Sequence, residues 1–256
     1  MAKPRALILR APGTNCDEET AAAWALAGAS AETWHVGRLM EGPAALDQFQ
    51  VLTLPGGFSY GDDLGAGRIF ATRLGTILGD SLQRLRDRGG LVLGICNGFQ
   101  VLVRAGLLPG GPAQGLATLA RNDSGHFEAR WVRLAPVAGR TPFLTDDEPI
   151  DLPVAHGEGK FLNADSADLV RLEASGQIVL RYLDSNQQPT QSYPDNPNGS
   201  PGAVAGIIDS TGRIFGLMPH PERNIEPWHH PRWTRHGLGA EGDGLRIFRN
   251  AVAAFR

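Results

Sequence analysis

Gly90-Leu91-Val92-Leu93-Gly94-Ile95-Cys96-Asn97-Gly98-Phe99-Gln100 is the stretch on which the reading of this chain turns. Its first residues are apolar and short in run, the signature of a buried strand. Beyond Cys96, Phe99, Val101, Leu102 and Leu107 recur at spacings that suit a helix packed on a sheet. Cys96 therefore falls on a strand-to-helix turn, with a glycine two residues to either side. That is the pattern of a nucleophile elbow carrying cysteine in place of serine. Small flanking residues let so tight a turn close, and the helix N-terminus beyond it favours negative charge on the sulfur. Taken alone, the run fits a catalytic thiol or a buried structural cysteine.

The surrounding pattern extends the same architecture. Ala6-Leu7-Ile8-Leu9, Glu32 to Val36 and Val51 to Leu54 read as strands. A helix carrying Ala21, Trp24, Ala25 and Leu26 lies between the first two, with Asn15 and Asp17 as caps and Gly28 as its end. Leu74 to Arg86 reads as a further helix. This alternation predicts an α/β fold, a mostly parallel sheet flanked by helices, with ligands beyond the C-terminal strand ends. The second half is β-rich. Phe127 to Leu134, Gln177 to Tyr182 and Val204 to Asp209 read as strands, and Asp209 to Gly212 as a hairpin turn into Arg213 to Met218. Tyr193 to Gly202 and Asn224 to Gly244 read as long loops, and Leu245 to Phe255 as a closing helix. No repeat or linker divides the chain, so residues 1–256 read as a single domain.

The chain's bulk properties narrow the function. Its 256 residues suffice for a proper core, and a net charge of −3 gives no support for a nucleic-acid or membrane partner. The N-terminus leads into a strand with no signal peptide. Cys16 and Cys96 are the only cysteines, too few for a disulfide framework, which points to a reducing cytoplasm.

A nucleophilic thiol needs a base, an orienting group and an oxyanion site. Among His35, His126, His156, His220, His229, His230 and His236, His220 stands out as the base. It follows the apolar run Ile214 to Met218 and lies between Pro219 and Pro221, which hold the backbone extended. In an extended segment Glu222, two residues on, points the same way and suits the orienter role. A surface His-Pro-Glu turn is the plain alternative. Pro55-Gly56-Gly57-Phe58 offers backbone N–H groups at a neighbouring strand end, and Asn97 offers another. Gln100, one helical turn after Cys96, reaches toward the same pocket. Cys16 is the rival thiol, but Asp17, Glu18 and Glu19 oppose a thiolate there, so it reads as structural or substrate-side. The spacing of His229, His230 and His236 fits no zinc pattern, and no metal site is expected.

With these residues in place, the chain resembles the class I glutamine amidotransferases, and among them the glutaminase subunits of phosphoribosylformylglycinamidine synthases. The resemblance runs through Pro12 to Asp17, Leu54 to Asp62, the Cys96 run, Arg121 to Ser124, Phe127 to Trp131, His156-Gly157-Glu158-Gly159, Asn196 to Ser200 and Met218 to Arg223. It implies a flavodoxin-like three-layer fold and a Cys96–His220–Glu222 triad. It implies a glutamyl thioester on Cys96, an oxyanion held near Gly57, Phe58 and Asn97, and Gln100 holding the amino-acid end of glutamine. Ammonia would pass to a separate large synthase subunit, with a third, small bridging subunit left open. ATP and magnesium would belong to that partner. This chain carries no Gly-x-x-x-x-Gly-Lys-[Ser/Thr] loop, so no cofactor is expected here. The stretch Asn224 to Gly244 is long for a minimal subunit of this kind, and its role stays open.

Overall fold

The computed structural model describes residues 2–110 and 117–256, apart from the side chains of 76–78 and 236. His236, one of the seven candidate bases, therefore has its side chain outside the described residues. Strand β1 (Arg5–Arg10) leads through helix α1 (Asp17–Ala27) into β2 (Ser30–His35) and the short α2 (Val36–Glu41). Next come β3 (Val51–Leu54), α3 (Arg68–Asp87), β4 (Leu91–Ile95) and α4 (Asn97–Arg104). The second half adds β5 (Ala117–Ala120), β6 (Glu128–Pro136), β7 (Ile150–His156), β8 (Lys160–Asn163), α5 (Ser166–Ala174) and β9 (Ile178–Leu183). It closes with β10 (Val204–Ile208), β11 (Ile214–Leu217), a single helical turn α6 (Trp233–His236) and α7 (Leu245–Ala253).

The nine-stranded sheet has the order β2-β1-β3-β4-β11-β10-β9-β6-β7. From β2 to β11 the pairings are parallel, and from β11 to β7 they are antiparallel. β3 and β4 are buried along their whole length, as strands covered on both faces must be. Trp24 of α1 shows how the cover is fixed. Its ring meets Phe248 of α7 edge-on, with centroids 5.0 Å apart, while its indole N–H donates to Thr53 Oγ1 of β3 at 2.9 Å. The polar tip of a buried indole is thus satisfied while its body fills the core. Among the described residues, no helix is long and apolar enough to cross a membrane.

Two expected details differ. Asn15 and Asp17 do not cap α1; Cys16 occupies the cap position and makes no side-chain capping bond. Asn15 instead turns its side-chain oxygen to the Cys16 thiol. Gly28 does end the helix, in the left-handed conformation at φ 102°. The helix expected from Leu74 begins at Arg68, because Gly67, at φ 70°, makes the turn that starts it.

β4 and β11 are neighbours and parallel, with Ile95 opposite Leu217. Cys96 and His220 follow these two strands, so both reach the same sheet edge. Strand β7, although last in the sheet order, comes round to that edge. The His220 N–H donates to the Pro153 carbonyl at 2.8 Å.

Candidate active site

Cys96 has φ 50° and ψ −104°, a conformation that L-residues other than glycine rarely hold and that clusters at active sites. The flanking glycines explain how it is held. A Cβ on Gly98 would fall on the Leu54 carbonyl oxygen of β3, inside any contact distance. A Cβ on Gly94 would sit 2.8 Å from the Gly98 backbone. The turn therefore packs main chain on main chain, and side chains at either glycine would force it open. The Cys96 N–H donates to Leu217 O at 2.8 Å, which ties the candidate nucleophile to the end of β11. Its sulfur faces the Ala155 carbonyl of β7 at 3.6 Å. Cys96 is the N-cap of α4, whose first N–H groups have no partner within the helix.

His220 Nδ1 and Glu222 Oε1 are 2.6 Å apart, and both side chains are buried. The pairing matches the expectation, but its geometric cause differs. Pro221 to Arg223 form a 3-10 turn, not an extended segment. The turn, not alternation along a strand, brings the carboxylate back to the ring. Burial alone would depress the His220 pKa. The Glu222 carboxylate and the two nearby thiols outweigh that and hold it well above the usual histidine range. Nδ1 is spent on Glu222, which leaves Nε2 for chemistry, and among the described residues Nε2 has no hydrogen-bond partner.

The Gly57 turn is shaped by close main-chain packing. Gly57 has φ 137°, and a Cβ there would lie 2.7 Å from Asn15 N and 2.8 Å from Gly13 O. Only glycine fits. The Phe58 amide is already used, donating to Gly13 O at 2.9 Å, whereas its ring is half-exposed and lies 6.3 Å from that of Phe127.

Asn97 and Gln100 are both buried. Asn97 accepts from Ser59 N at 3.2 Å and donates to Gln100 Oε1 at 2.9 Å and to Asp62 Oδ1 at 3.3 Å. Gln100 donates to the Glu158 carbonyl at 2.6 Å. Burial pushes Asp62 up, against hydrogen bonds from Gly67 and Asn97 that favour its charged form. The two amides thus bridge the Ser59–Asp62 turn to the His156–Gly159 turn across the start of α4.

Residues to which the sequence assigned no catalytic role complete the site. Asn122 accepts from Gly159 N at 3.0 Å and from His156 Nδ1 at 3.2 Å, and donates to the carbonyls of His126 and His156 at 2.9 and 2.8 Å. Burial, with the nearby His220 charge, lowers the His156 pKa to about 4. Arg223 donates to the Cys16 sulfur at 3.0 Å. Cys16 lies beside His220, and burial raises its pKa. A signal for it existed: the segment after β1 reaches the same sheet edge as the segment after β3. The sulfur of Cys16 and donor atoms of His220 and Glu222 lie within 4.8 Å of one another. Sulfur, imidazole and carboxylate are donor types that zinc accepts, but the hydrogen bond between His220 and Glu222 commits two of these groups to each other. His229 and His230 serve the loop: His229 Nδ1 accepts from Ile225 N at 3.3 Å, and the His230 ring lies 4.9 Å from that of Trp131.

Residues 3–255 match the family described as the CobB/CobQ-like glutamine amidotransferase domain. The chain is 48% identical over 254 residues to the phosphoribosylformylglycinamidine synthase subunit PurQ of Dehalococcoides mccartyi, covering 98% of each chain. It is 38% identical over 266 residues to the subunit of that name from Methanococcus maripaludis, covering 98% of this chain and 97% of the other. Among solved structures it is similar to a chain of PurLQS from Thermotoga maritima, with a TM-score of 0.75, 30% identity and full coverage of both. A glutamine amidotransferase of the same organism, at 15% identity and a TM-score of 0.55, shares the fold.

Proposed function

The chain belongs to the CobB/CobQ-like glutamine amidotransferase family, and from that premise we propose that it is the glutaminase subunit of a phosphoribosylformylglycinamidine synthase. The observation that carries the chemistry is the strained Cys96 turn at the end of β4, beside a buried His220–Glu222 pair at the end of β11. A nucleophile on one strand end and an oriented base on the next is what acyl transfer requires.

The Cys96 thiolate attacks the side-chain carbonyl carbon of glutamine. The amides of Gly57 and Asn97 hold the developing oxyanion, each such donor being worth about 10²–10³ in rate. His220, protonated at Nε2, gives that proton to the departing nitrogen, and ammonia leaves as the thioester forms. Water, deprotonated by His220, then attacks the thioester, and glutamate is released with the thiol restored. Glu222 fixes the ring and stabilises its charged form throughout. Gln100 holds the amino-acid end of glutamine through the network it shares with Asn97 and Glu158.

Ammonia passes to a large ATP-dependent synthase subunit, which converts formylglycinamide ribonucleotide to the amidine in purine biosynthesis; a small third subunit joins them. The PurLQS assembly supports that partnership. ATP and magnesium belong to the partner, and this chain works without a cofactor. Two free cysteines and no disulfide suit a reducing cytoplasm.

Ammonia release from glutamine, measured on the chain alone and with its synthase subunit, tests the reading. Weak activity alone and a marked rise in the complex are expected. High activity alone that no synthase changes would point to an independent cysteine hydrolase, and ammonia production by a Cys96→Ala complex to a binding module.

A further inference from the structure

Gly56 carries no side chain, and the space above it is shared. A Cβ there would lie 2.8 Å from His220 Cε1 and 3.0 Å from Cys16 Sγ. The imidazole edge and the second sulfur therefore converge on one small volume. Cys16 is 1% exposed. Its sulfur is held from two further sides: the S–H donates to Asn15 Oδ1 at 3.2 Å, and Arg223 Nη2 donates to the sulfur at 3.0 Å. With the thiol proton spent on Asn15, the sulfur lone pairs face the guanidinium and the imidazole. A neutral thiol so oriented is a weak acceptor.

The clamp also joins two segments far apart in sequence. Arg223 sits in the turn that carries His220 and Glu222, and its Nε lies 3.6 Å from Glu19 Oε1 in the first turn of α1. The Cys16 and Asn15 amides, at 3.3 and 3.4 Å, both donate to Gly56 O. The Pro12–Asp17 segment thus braces Gly56 and the His220 turn together. A brace of that kind matters most once the Cys96 sulfur is acylated. A thioester sulfur is a poor acceptor, and among the described residues His220 Nε2 has no hydrogen-bond partner that would hold the ring in place.

We propose that Cys16 is a positioning residue for His220: its sulfur, clamped by Asn15 and Arg223, keeps the imidazole seated on Gly56 with Nε2 directed at Cys96 through both halves of the reaction. The inference rests on Cys96 and His220 being the reacting pair. It assigns no nucleophilic role to Cys16.

The test uses the chain in complex with its synthase subunit. Cys16→Ala should lower kcat about tenfold, a fraction of what general acid–base catalysis contributes, with KM for glutamine within about twofold of wild type. The pH profile of Cys96 alkylation by iodoacetamide, followed on the Cys96 peptide by mass spectrometry, should move to higher pH. Cys16→Ser should restore part of kcat, since a hydroxyl also accepts from Arg223 and fills the space beside the ring. Arg223→Gln should shift the profile in the same direction. A lower Tm with unchanged kcat and unchanged alkylation profile would overturn the proposal and leave Cys16 a packing residue. If Cys16→Ala does not fold, the kcat and alkylation profiles of Cys16→Ser and Arg223→Gln decide between the same two outcomes. Alkylation needs no glutamine turnover, so it separates a failure of positioning from a failure of the glutaminase reading.

Discussion

His220 Nδ1 lies 2.6 Å from Glu222 Oε1, in a turn where neither side chain touches bulk water. The carboxylate sets the tautomer of the ring and stabilises its protonated form. Glu222→Gln should therefore lower kcat for glutamine hydrolysis by about 10²–10⁴-fold with little change in KM. Steady-state kinetics of the complex check this. A kcat within a few-fold of wild type would remove Glu222 from the triad.

The glycines around the thiol are fixed by space, and those of α3 are not. Gly98→Ala drives a methyl into the Leu54 carbonyl and should cost about 3 kcal/mol, near the upper range for overpacking. Gly75→Ala and Gly79→Ala place a Cβ in open space inside α3. Each should stabilise by about 0.5–1 kcal/mol, the helix propensity difference. Urea unfolding of the three variants gives the opposite signs directly.

Asn122 holds the His156–Gly159 turn through three hydrogen bonds and ties it to His126 with a fourth. Removing its amide leaves buried partners unsatisfied, at about 1–3 kcal/mol each before relaxation. Asn122→Ala should lose roughly 3 kcal/mol of stability. Because Gln100 bonds to the Glu158 carbonyl in that turn, KM for glutamine should also rise. A stability loss with unchanged KM would detach the turn from substrate binding.

His156 is buried and its pKa falls from 6.5 to about 4 on folding. As pH drops, the unfolded chain takes up this proton before the folded one does. Its contribution to stability is complete above about pH 6.5 and is lost progressively as pH falls toward about 4. The loss attributable to the residue is up to about 3 kcal/mol. His220 works in the opposite sense, stabilising at low pH and losing that contribution as pH rises through its elevated folded value. Urea midpoints of wild type and His156→Gln across this range should converge toward acid pH; parallel curves would contradict it.

The sheet and the thiol turn were legible because short apolar runs and glycine spacing report local backbone demands. Val51 to Leu54 and the hairpin between β10 and β11 lie where those patterns place them. The pairing of His220 with Glu222 was legible too, although a tight turn makes it rather than an extended segment. β7 was missed. Its sequence, Ile150-Asp151-Leu152-Pro153-Val154-Ala155-His156, alternates in burial, but it carries a proline that its edge position tolerates. Its return to the site depends on the antiparallel half of the sheet, which no local pattern encodes. Cys16 was set aside because three acidic residues follow it. Charge repulsion bears on a thiolate, whereas a neutral thiol bonded to Asn15 and Arg223 is indifferent to it. The contacts of Gln100 and Asn97 were hidden as well, since their amides close on Glu158, Ser59 and Asp62, segments distant in sequence.

Mass spectrometry of the complex, acid-quenched during glutamine turnover and digested, shows directly which sulfur carries the acyl group. One glutamyl adduct is expected, on the Cys96 peptide. It should be absent in Cys96→Ala and should accumulate when His220 is replaced by a residue that cannot activate water for deacylation yet leaves slow acylation. An adduct on the Cys16 peptide, or steady ammonia release from Cys96→Ala, would contradict the assignment of Cys96 as the nucleophile.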